Sequence, residues 1–194
     1  MSHPPILTTD RLKLRPFEPR DIEELSEVFD DLEAMWDVLA IPGMPKLPRE
    51  VAARRIDDSI QGWDGHDCGF WAITLRDESL GEAGCIVGYC GFVNPDMAET
   101  AGREDLVLEV GWGIHPAFQR RGLAREAMAP VLDYALATRG CARLVAITDP
   151  ENYASRSLTE RLGFTFVAEI QAYGTVQVRY ELTREAYAHP ASRP

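Results

Sequence analysis

The chain has 194 residues, of which 45% are hydrophobic and 26% are charged, and its formal net charge is −11. This length and balance fit one folded domain with a sizeable core, and they exclude a disordered, coiled-coil or fibrous protein. The apolar runs are shorter than the about 18 residues of a membrane span, and residues 1–5 lack the features of a secretory signal. We therefore predict a single cytoplasmic domain over residues 1–194 that does not bind a membrane, with an ordered core at about 8–182 and a frayed tail at 189–194.

The charge is unevenly distributed along the chain. Residues 106–164 hold seven arginines and six acidic residues, a balance of +1, so the other 135 residues carry −12. An acidic body excludes nucleic acid as a partner, because phosphate binding needs a basic surface. An arginine-rich segment inside an acidic protein indicates an anionic ligand there and is compatible with a cationic ligand elsewhere.

Cysteine and histidine usage gives no sign of a metal site. The four cysteines form no Cys-x-x-Cys pair, and the four histidines are scattered along the chain. We therefore expect buried, reduced thiols and no bound metal.

Hydrophobic periodicity and turn residues predict an α/β (α+β) fold. A proline at position 130, inside the longest predicted helix, predicts a kink there. A loop is predicted at 94–105. The predicted strands lie at about 12–17, 70–76, 86–93, 106–114, 144–148, 164–170 and 175–182, and the predicted helices at about 19–29, 32–39, 49–61, 122–138 and 152–162.

The stretch from Leu108 to Ala124 carries the clearest chemical signal. Pro116 ends a strand, and Gly122 leaves little side chain where the next helix begins. Free N–H groups at a helix N-terminus form an anion site, and three arginines flank this one at positions 120, 121 and 125. Glycines at 111 and 113 indicate a bulge or the close approach of a ligand. The residues alone leave two interpretations open, a phosphate or pyrophosphate site and a surface loop with solvated arginines.

Three blocks of the sequence resemble the GNAT N-acetyltransferases. The run from Gln119 to Ala124 (QRRGLA) fits the Q/R-x-x-G-x-G/A acetyl-CoA loop of that family. Residues 149–158 with 162–164 are similar to the helix that follows the loop in the ribosomal-protein N-acetyltransferase (RimJ/RimL-like) branch, and residues 9–17 to its opening strand. The resemblance covers about 8–182 and is weakest between 40 and 105. It implies a GNAT-like splayed mixed sheet of about seven strands, with helices on both faces.

The resemblance also implies acetyl-CoA as co-substrate, with no metal. In such a site the backbone of Gly113, Ile114 and His115 pairs with the pantetheine as an extra strand would, and the N–H groups of Gln119 to Ala124 hold the pyrophosphate. Asn152 binds pantetheine and Ser155 lies near the sulfur. Arg156 and Arg161 are candidates for the adenosine 3′-phosphate, with surface salt bridges as the alternative. The predicted cofactor-binding residues are Gly113, Ile114, His115, Gln119, Arg120, Arg121, Gly122, Leu123, Ala124, Asn152 and Ser155.

For catalysis, the tyrosine that often protonates the departing thiolate in this family falls at position 159, which here is Thr159. This departure leaves Ser155 as the candidate acid, with Tyr153 and Tyr173 less favoured. Glu109, on the strand before the loop, is the predicted base for the ammonium proton, directly or through water. The alternative role for Glu109 is a structural ion pair.

These residues indicate the chemical class of the acceptor but not its identity. We expect a primary amine that attacks acetyl-CoA directly in a ternary complex, since no cysteine is placed as an acyl carrier. It is a protein N-terminal α-amine, as the branch suggests, or a small amine such as a polyamine, an amino acid or an aminoglycoside. A homodimer is compatible with the sequence. The competing interpretation is a CoA-binding sensor or scaffold module without turnover.

Overall fold

The computed structural model of the chain describes residues 4–30, 48–93 and 107–189. The predicted helix at 32–39, the predicted loop at 94–105 and all but the first residue of the predicted tail lie outside these ranges.

The described strands are β1 (Leu7–Thr8), β2 (Leu12–Pro16), β3 (Phe70–Leu75), β4 (Ile86–Phe92), β5 (Val107–Ile114), β6 (Arg143–Thr148), β7 (Thr165–Ala172) and β8 (Thr175–Thr183). The described helices are α1 (Ile22–Asp30), α2 (Pro48–His66), α3 (Leu123–Asp133), α4 (Tyr153–Arg161) and α5 (Arg184–Ala188), with 3-10 turns at Pro19–Asp21 and Pro116–Phe118. None of the described helices is long and apolar enough to cross a membrane.

The eight described strands form one sheet in the order β1-β2-β3-β4-β5-β6-β8-β7. All neighbours pair antiparallel except β5 and β6, which run parallel. The predicted mixed sheet flanked by helices is confirmed. It has eight strands where about seven were predicted, because residues 7–8 add a two-residue edge strand beside β2.

Side chains alternate between two cores on opposite faces of the sheet, as the pleat requires. On one face Leu108 and Val110 of β5 pack with Met128 of α3. On the other face Phe70 and Tyr89 pack with residues of α1 and α2. Trp63 and Trp71 are buried in the first core with ring centroids 4.5 Å apart, so they are core residues.

The predicted helix over 122–138 forms with a change of geometry after the proline. α3 contains Pro130 and continues directly into a π-helical turn at Tyr134–Thr138. The Tyr134 N–H reaches both Pro130 O and Val131 O. Proline removes a hydrogen bond from the turn that precedes it and crowds that turn, whereas the wider turn lies after Pro130.

Candidate active site

The parallel strands β5 and β6 separate along their length. They pair from Val107–Arg143 to Val110–Ala146. Beyond that point β5 stays paired with β4 through Ile114, whereas β6 stays paired with β8 through Thr148. The described strands therefore diverge at the carboxyl end of β5, which opens a gap in the sheet.

The register with β4 decides which β5 backbone groups face this gap. The His115 N–H donates to Val87 O at 2.9 Å, and Glu109 O accepts from Val93 N–H. Backbone groups alternate sides along a strand, so residues 111 and 113 also face β4, whereas those of Trp112 and Ile114 face the gap. The backbone groups of Gly113 and His115 are thus directed at β4. Of the three residues predicted to pair with the pantetheine, Ile114 faces the gap, and so does Trp112, whose orientation depends on register.

The loop before α3 has the backbone of an anion site. Arg120 (φ 59°) and Gly122 (φ 78°) both adopt left-handed conformations. The Glu126 N–H donates to Gly122 O and is the first intrahelical donor, so the amides of Leu123 and Ala124, which precede it, have no intrahelical partner. Their side chains pack inward, which leaves the backbone to meet a ligand.

Gln119 is hydrogen-bonded within the protein through both its backbone and its side chain. Its N–H donates to Pro116 O within a 3-10 turn, so that amide is engaged inside the protein. Its side-chain Nε2 donates to Ile114 O at 2.9 Å. Gln119 therefore ties the loop to the end of β5 and orients its neighbours.

Hydrogen bonds to the carboxylate of Glu126, in the first turn of α3, connect this loop to Thr9 and Arg11. The carboxylate accepts from Thr9 Oγ1 at 2.6 Å and from Arg11 N–H at 2.9 Å and Nε at 2.6 Å. Arg11 Nη1 then donates to Arg121 O at 3.1 Å. Desolvation acts to raise the pKa of Glu126, but these hydrogen bonds and the Arg11 charge outweigh it and lower that pKa. No local sequence signal pointed to this contact, which joins residues 115 positions apart.

An open cleft of about 490 Å³ lies beside the loop. Arg125 and Arg161 line it, together with Gly122 and Tyr187. Arg156 does not reach it, because its Nε donates to Tyr180 Oη and its Nη1 to Pro150 O. Of the two arginines predicted for the 3′-phosphate, Arg161 lines this cleft and Arg156 does not.

Asn152 caps α4, since its Oδ1 accepts from the Ser155 N–H at 3.0 Å. This cap satisfies one of the free amides of the first turn. Ser155 is half-buried. Thr159 is fully buried, and its hydroxyl donates to Ser155 O at 2.8 Å, which leaves it no role as an acid. Tyr153 is 72% exposed.

Glu109, the predicted base, is buried on the sheet face that carries Phe70 and Tyr89. The Tyr173 hydroxyl lies 2.6 Å from one of its carboxylate oxygens and 2.7 Å from the other. The Arg55 guanidinium lies over the Phe70 ring at 4.5 Å and the Tyr89 ring at 5.0 Å. The site thus combines the buried Glu109 carboxylate with the aromatic rings of Phe70 and Tyr89, beside the gap between β5 and β6.

The four thiols are free, and burial raises the pKa of each one. For Cys68 the pKa rises to about 11. The expectation of reduced cysteines agrees with this arrangement. Among the described residues, no group of three or more His, Cys, Asp or Glu side chains is arranged to hold a metal ion.

Comparison with known proteins identifies the family. Residues 11–165 match the acetyltransferase (GNAT) domain. The chain is 25% identical over 158 residues to YnaD of Bacillus subtilis strain 168, named an uncharacterized N-acetyltransferase, with 81% of each chain covered.

Solved structures share the fold. A ribosomal-protein-S5-alanine acetyltransferase from Vibrio fischeri has a TM-score of 0.72 at 15% identity, covering 93% of this chain and 97% of that one. The microcin C7 self-immunity acetyltransferase MccE, solved with acetyl-CoA and AMP, has a TM-score of 0.70 at 17% identity, covering 90% of this chain and 93% of that one. With the domain match and the splayed sheet, these comparisons show that the chain belongs to the GNAT acetyltransferase family and is an acyltransferase.

Proposed function

We propose that this acetyltransferase moves the acetyl group of acetyl-CoA to a protein N-terminal α-amine, as a single cytoplasmic domain of the RimJ/RimL-like branch. The observation that carries the proposal is the buried Glu109 carboxylate beside the gap between β5 and β6. The V. fischeri fold neighbour, named as an acetyltransferase of an alanine on a ribosomal protein, supports the choice of acceptor.

The residues at the gap fit acetyl-CoA. The free amides of Leu123 and Ala124, with the exposed Arg120, Arg121 and Gly122 around them, suit a pyrophosphate, which prefers a helix N-terminus with nearby positive charge. The backbone groups of Trp112 and the N–H of Ile114 suit the amides of pantetheine, since Ile114 O already accepts from Gln119 Nε2. Asn152 and Ser155, at the start of α4, complete the proposed site near the sulfur.

In the proposed reaction the amine nitrogen forms a bond to the acetyl carbon as the carbon–sulfur bond breaks, and CoA leaves as thiolate or thiol. Glu109 takes the ammonium proton, directly or through water. Backbone N–H groups at the end of β5 stabilise the developing oxyanion. Ser155 is the proposed acid, although a thiolate whose thiol has a pKa near ~8.5 also departs unprotonated. The raised thiol pKa values favour direct transfer over a cysteine-bound intermediate.

The class of amine sets how much the base contributes. An α-amine with a pKa near ~7.8 is neutral in about 1 molecule in 7 at pH 7, whereas a lysine-like amine with a pKa near ~10.4 is neutral in about 1 in 2,500. A small polyamine is the second candidate, because the acidic remainder of the chain attracts cations. Substituting Glu109 should therefore impair a polyamine acceptor more than an α-amine at pH 8.

The test is release of CoA thiol from acetyl-CoA with a panel of N-terminal peptides and small amines, with acetyl-CoA binding measured by calorimetry. We expect turnover with peptides whose α-amine is free and none when it is blocked. Glu109→Gln should lower kcat/KM by about 10²-fold or more for a polyamine, within the usual range for a general base. Glu169→Gln, an exposed carboxylate on β7, is the matched control and should leave activity unchanged. Tight binding without turnover across the panel would favour the sensor or scaffold interpretation instead.

A further inference from the structure

We propose that Tyr173, at the tip of the β7–β8 hairpin, is a positioning residue that fixes the Glu109 carboxylate in its ionised form and in one orientation. This inference rests on the proposed function, in which Glu109 is the base. It concerns a contact between residues 64 positions apart, which only the folded chain brings together.

The hairpin bends to make this contact. Glu109 lies level with Val145 of β6, which lies level with Glu181 of β8. Tyr173 is eight residues from Glu181, so a straight strand would carry it roughly 25 Å beyond Glu109. The 2.6 Å hydrogen bond shows that the tip instead curls back over the sheet. A register shift in β7 between Phe166 and Ala168 supplies a bulge, and bulges bend strands.

The turn itself is built at a conformational cost. Tyr173 (φ 53°) and Gly174 (φ 78°) form the two-residue connection between Ala172 and Thr175. Two positive φ values in such a turn favour Asn-Gly or Gly-Gly, and a bulky residue at the first position is strained. Strain of this kind persists where the surroundings compensate it, commonly at functional sites. Here the compensating contact is the hydroxyl on the carboxylate.

The chemistry of the contact explains its use. A carboxylate as buried as Glu109 is favoured in its neutral form by desolvation, and a neutral carboxyl cannot accept the ammonium proton. A hydroxyl donor within 2.7 Å of both oxygens favours the charged form and opposes that effect. Other charged side chains on this sheet face have contacts of their own, since Arg143 and Arg179 contact Glu181 and Arg55 lies over the rings of Phe70 and Tyr89. The Tyr173 hydroxyl is therefore a donor that stabilises the Glu109 carboxylate in the charged form that the reaction needs.

The experiment compares the pH dependence of kcat/KM in the wild type and two variants of the full chain. Tyr173→Phe removes only the hydroxyl, and Tyr173→Asn also removes it but suits the positive φ. In both, the acidic limb of the profile should move up by about one to two pH units, as expected for loss of a charge-assisted hydrogen bond. The KM for acetyl-CoA should stay unchanged, and Tyr173→Asn should be no less stable than the wild type.

Two controls separate the possible failures. Tyr180→Phe removes a hydroxyl that contacts Glu160 and Arg156, and it should leave the acidic limb in place. Glu109→Gln should replace the limb with one at the pKa of the acceptor amine, because without the base only the neutral amine reacts. Suppose that Glu109→Gln changes the acidic limb as expected but neither Tyr173 variant shifts it. The role of Tyr173 is then refuted and the proposed function stands. If Glu109→Gln keeps the limb and the activity, the base assignment fails, and the inference about Tyr173 fails with it.

Discussion

The hydrogen bonds on Glu126 give a stability prediction whose size can be estimated from contacts. Glu126→Gln keeps one acceptor oxygen but puts an NH₂ group where Oε2 now faces Arg11 Nε at 2.6 Å and Nη2 at 2.5 Å. Two donors then face each other, and the guanidinium loses its counter-charge. The substitution also weakens the support of the Arg121 carbonyl by Arg11 Nη1.

The expected loss of unfolding free energy in Glu126→Gln lies between two reference cases. Hydrogen bonds to charged groups contribute about 1.5–3 kcal/mol, whereas exposed ion pairs contribute about 0–1 kcal/mol. The Glu126 side chain is 19% exposed and that of Arg11 is 32% exposed, so the pair is partly screened by solvent. We expect Glu126→Gln to lower the free energy of unfolding by about 1–2 kcal/mol, and the melting temperature by roughly 3–6 °C.

The pH dependence of this loss follows from the lowered pKa of Glu126. An unfolded glutamate titrates near ~4.3. A carboxyl whose pKa is lower when folded stabilises the protein fully above its unfolded pKa, and this contribution disappears as the pH falls through its folded pKa. The difference between wild type and Glu126→Gln should therefore be complete at pH 7 and shrink below about pH 4.

Urea unfolding of both proteins at several pH values measures this difference. The matched control is Glu23→Gln, whose partner Arg49 is 66% exposed, and it should change stability by less than about 1 kcal/mol at pH 7. The reasoning would be refuted if Glu126→Gln cost no more than the control, or if its cost were the same at pH 3.5 as at pH 7. Calorimetry should also show weaker acetyl-CoA binding, because the loop loses its support.

Two further predictions concern packing and thiol chemistry. A Cβ added at Gly113 would lie 2.6 Å from Cε1 of the buried Tyr89 ring, so Gly113→Ala should cost about 1–3 kcal/mol in thermal unfolding. Gly65→Ala, with nothing within 4 Å on α2, should instead stabilise by about 0.5–1 kcal/mol; equal effects of the two would contradict the packing argument. With its pKa raised to about 11, the Cys68 thiol should react slowly with a disulfide reagent at pH 8 until the protein is denatured, and rapid labelling of the native protein would contradict its burial.

Local sequence patterns predicted most of the fold and the position of the loop before α3. The alternation of β2, the apolar runs of β3 and β4, and the helix after Gly122 depend on neighbours a few residues apart, so periodicity and turn residues indicate them directly. The motif from Gln119 to Ala124 is also local, but it was identified through its resemblance to the acetyl-CoA loop of the GNAT family. The two-residue β1 was missed, because so short a segment has no period to detect.

The sequence by itself determined which residue types stand at the loop, on β5 and at the start of α4, because these are properties of short segments. Only the tertiary structure decided how they are oriented. Strand register turned Trp112 and Ile114 towards the gap and His115 away from it. Sheet order and a bulged hairpin brought Tyr173 to Glu109, and the docking of α3 brought Glu126 to Arg11. Such contacts depend on how distant segments pack, and no pattern within one segment encodes that packing.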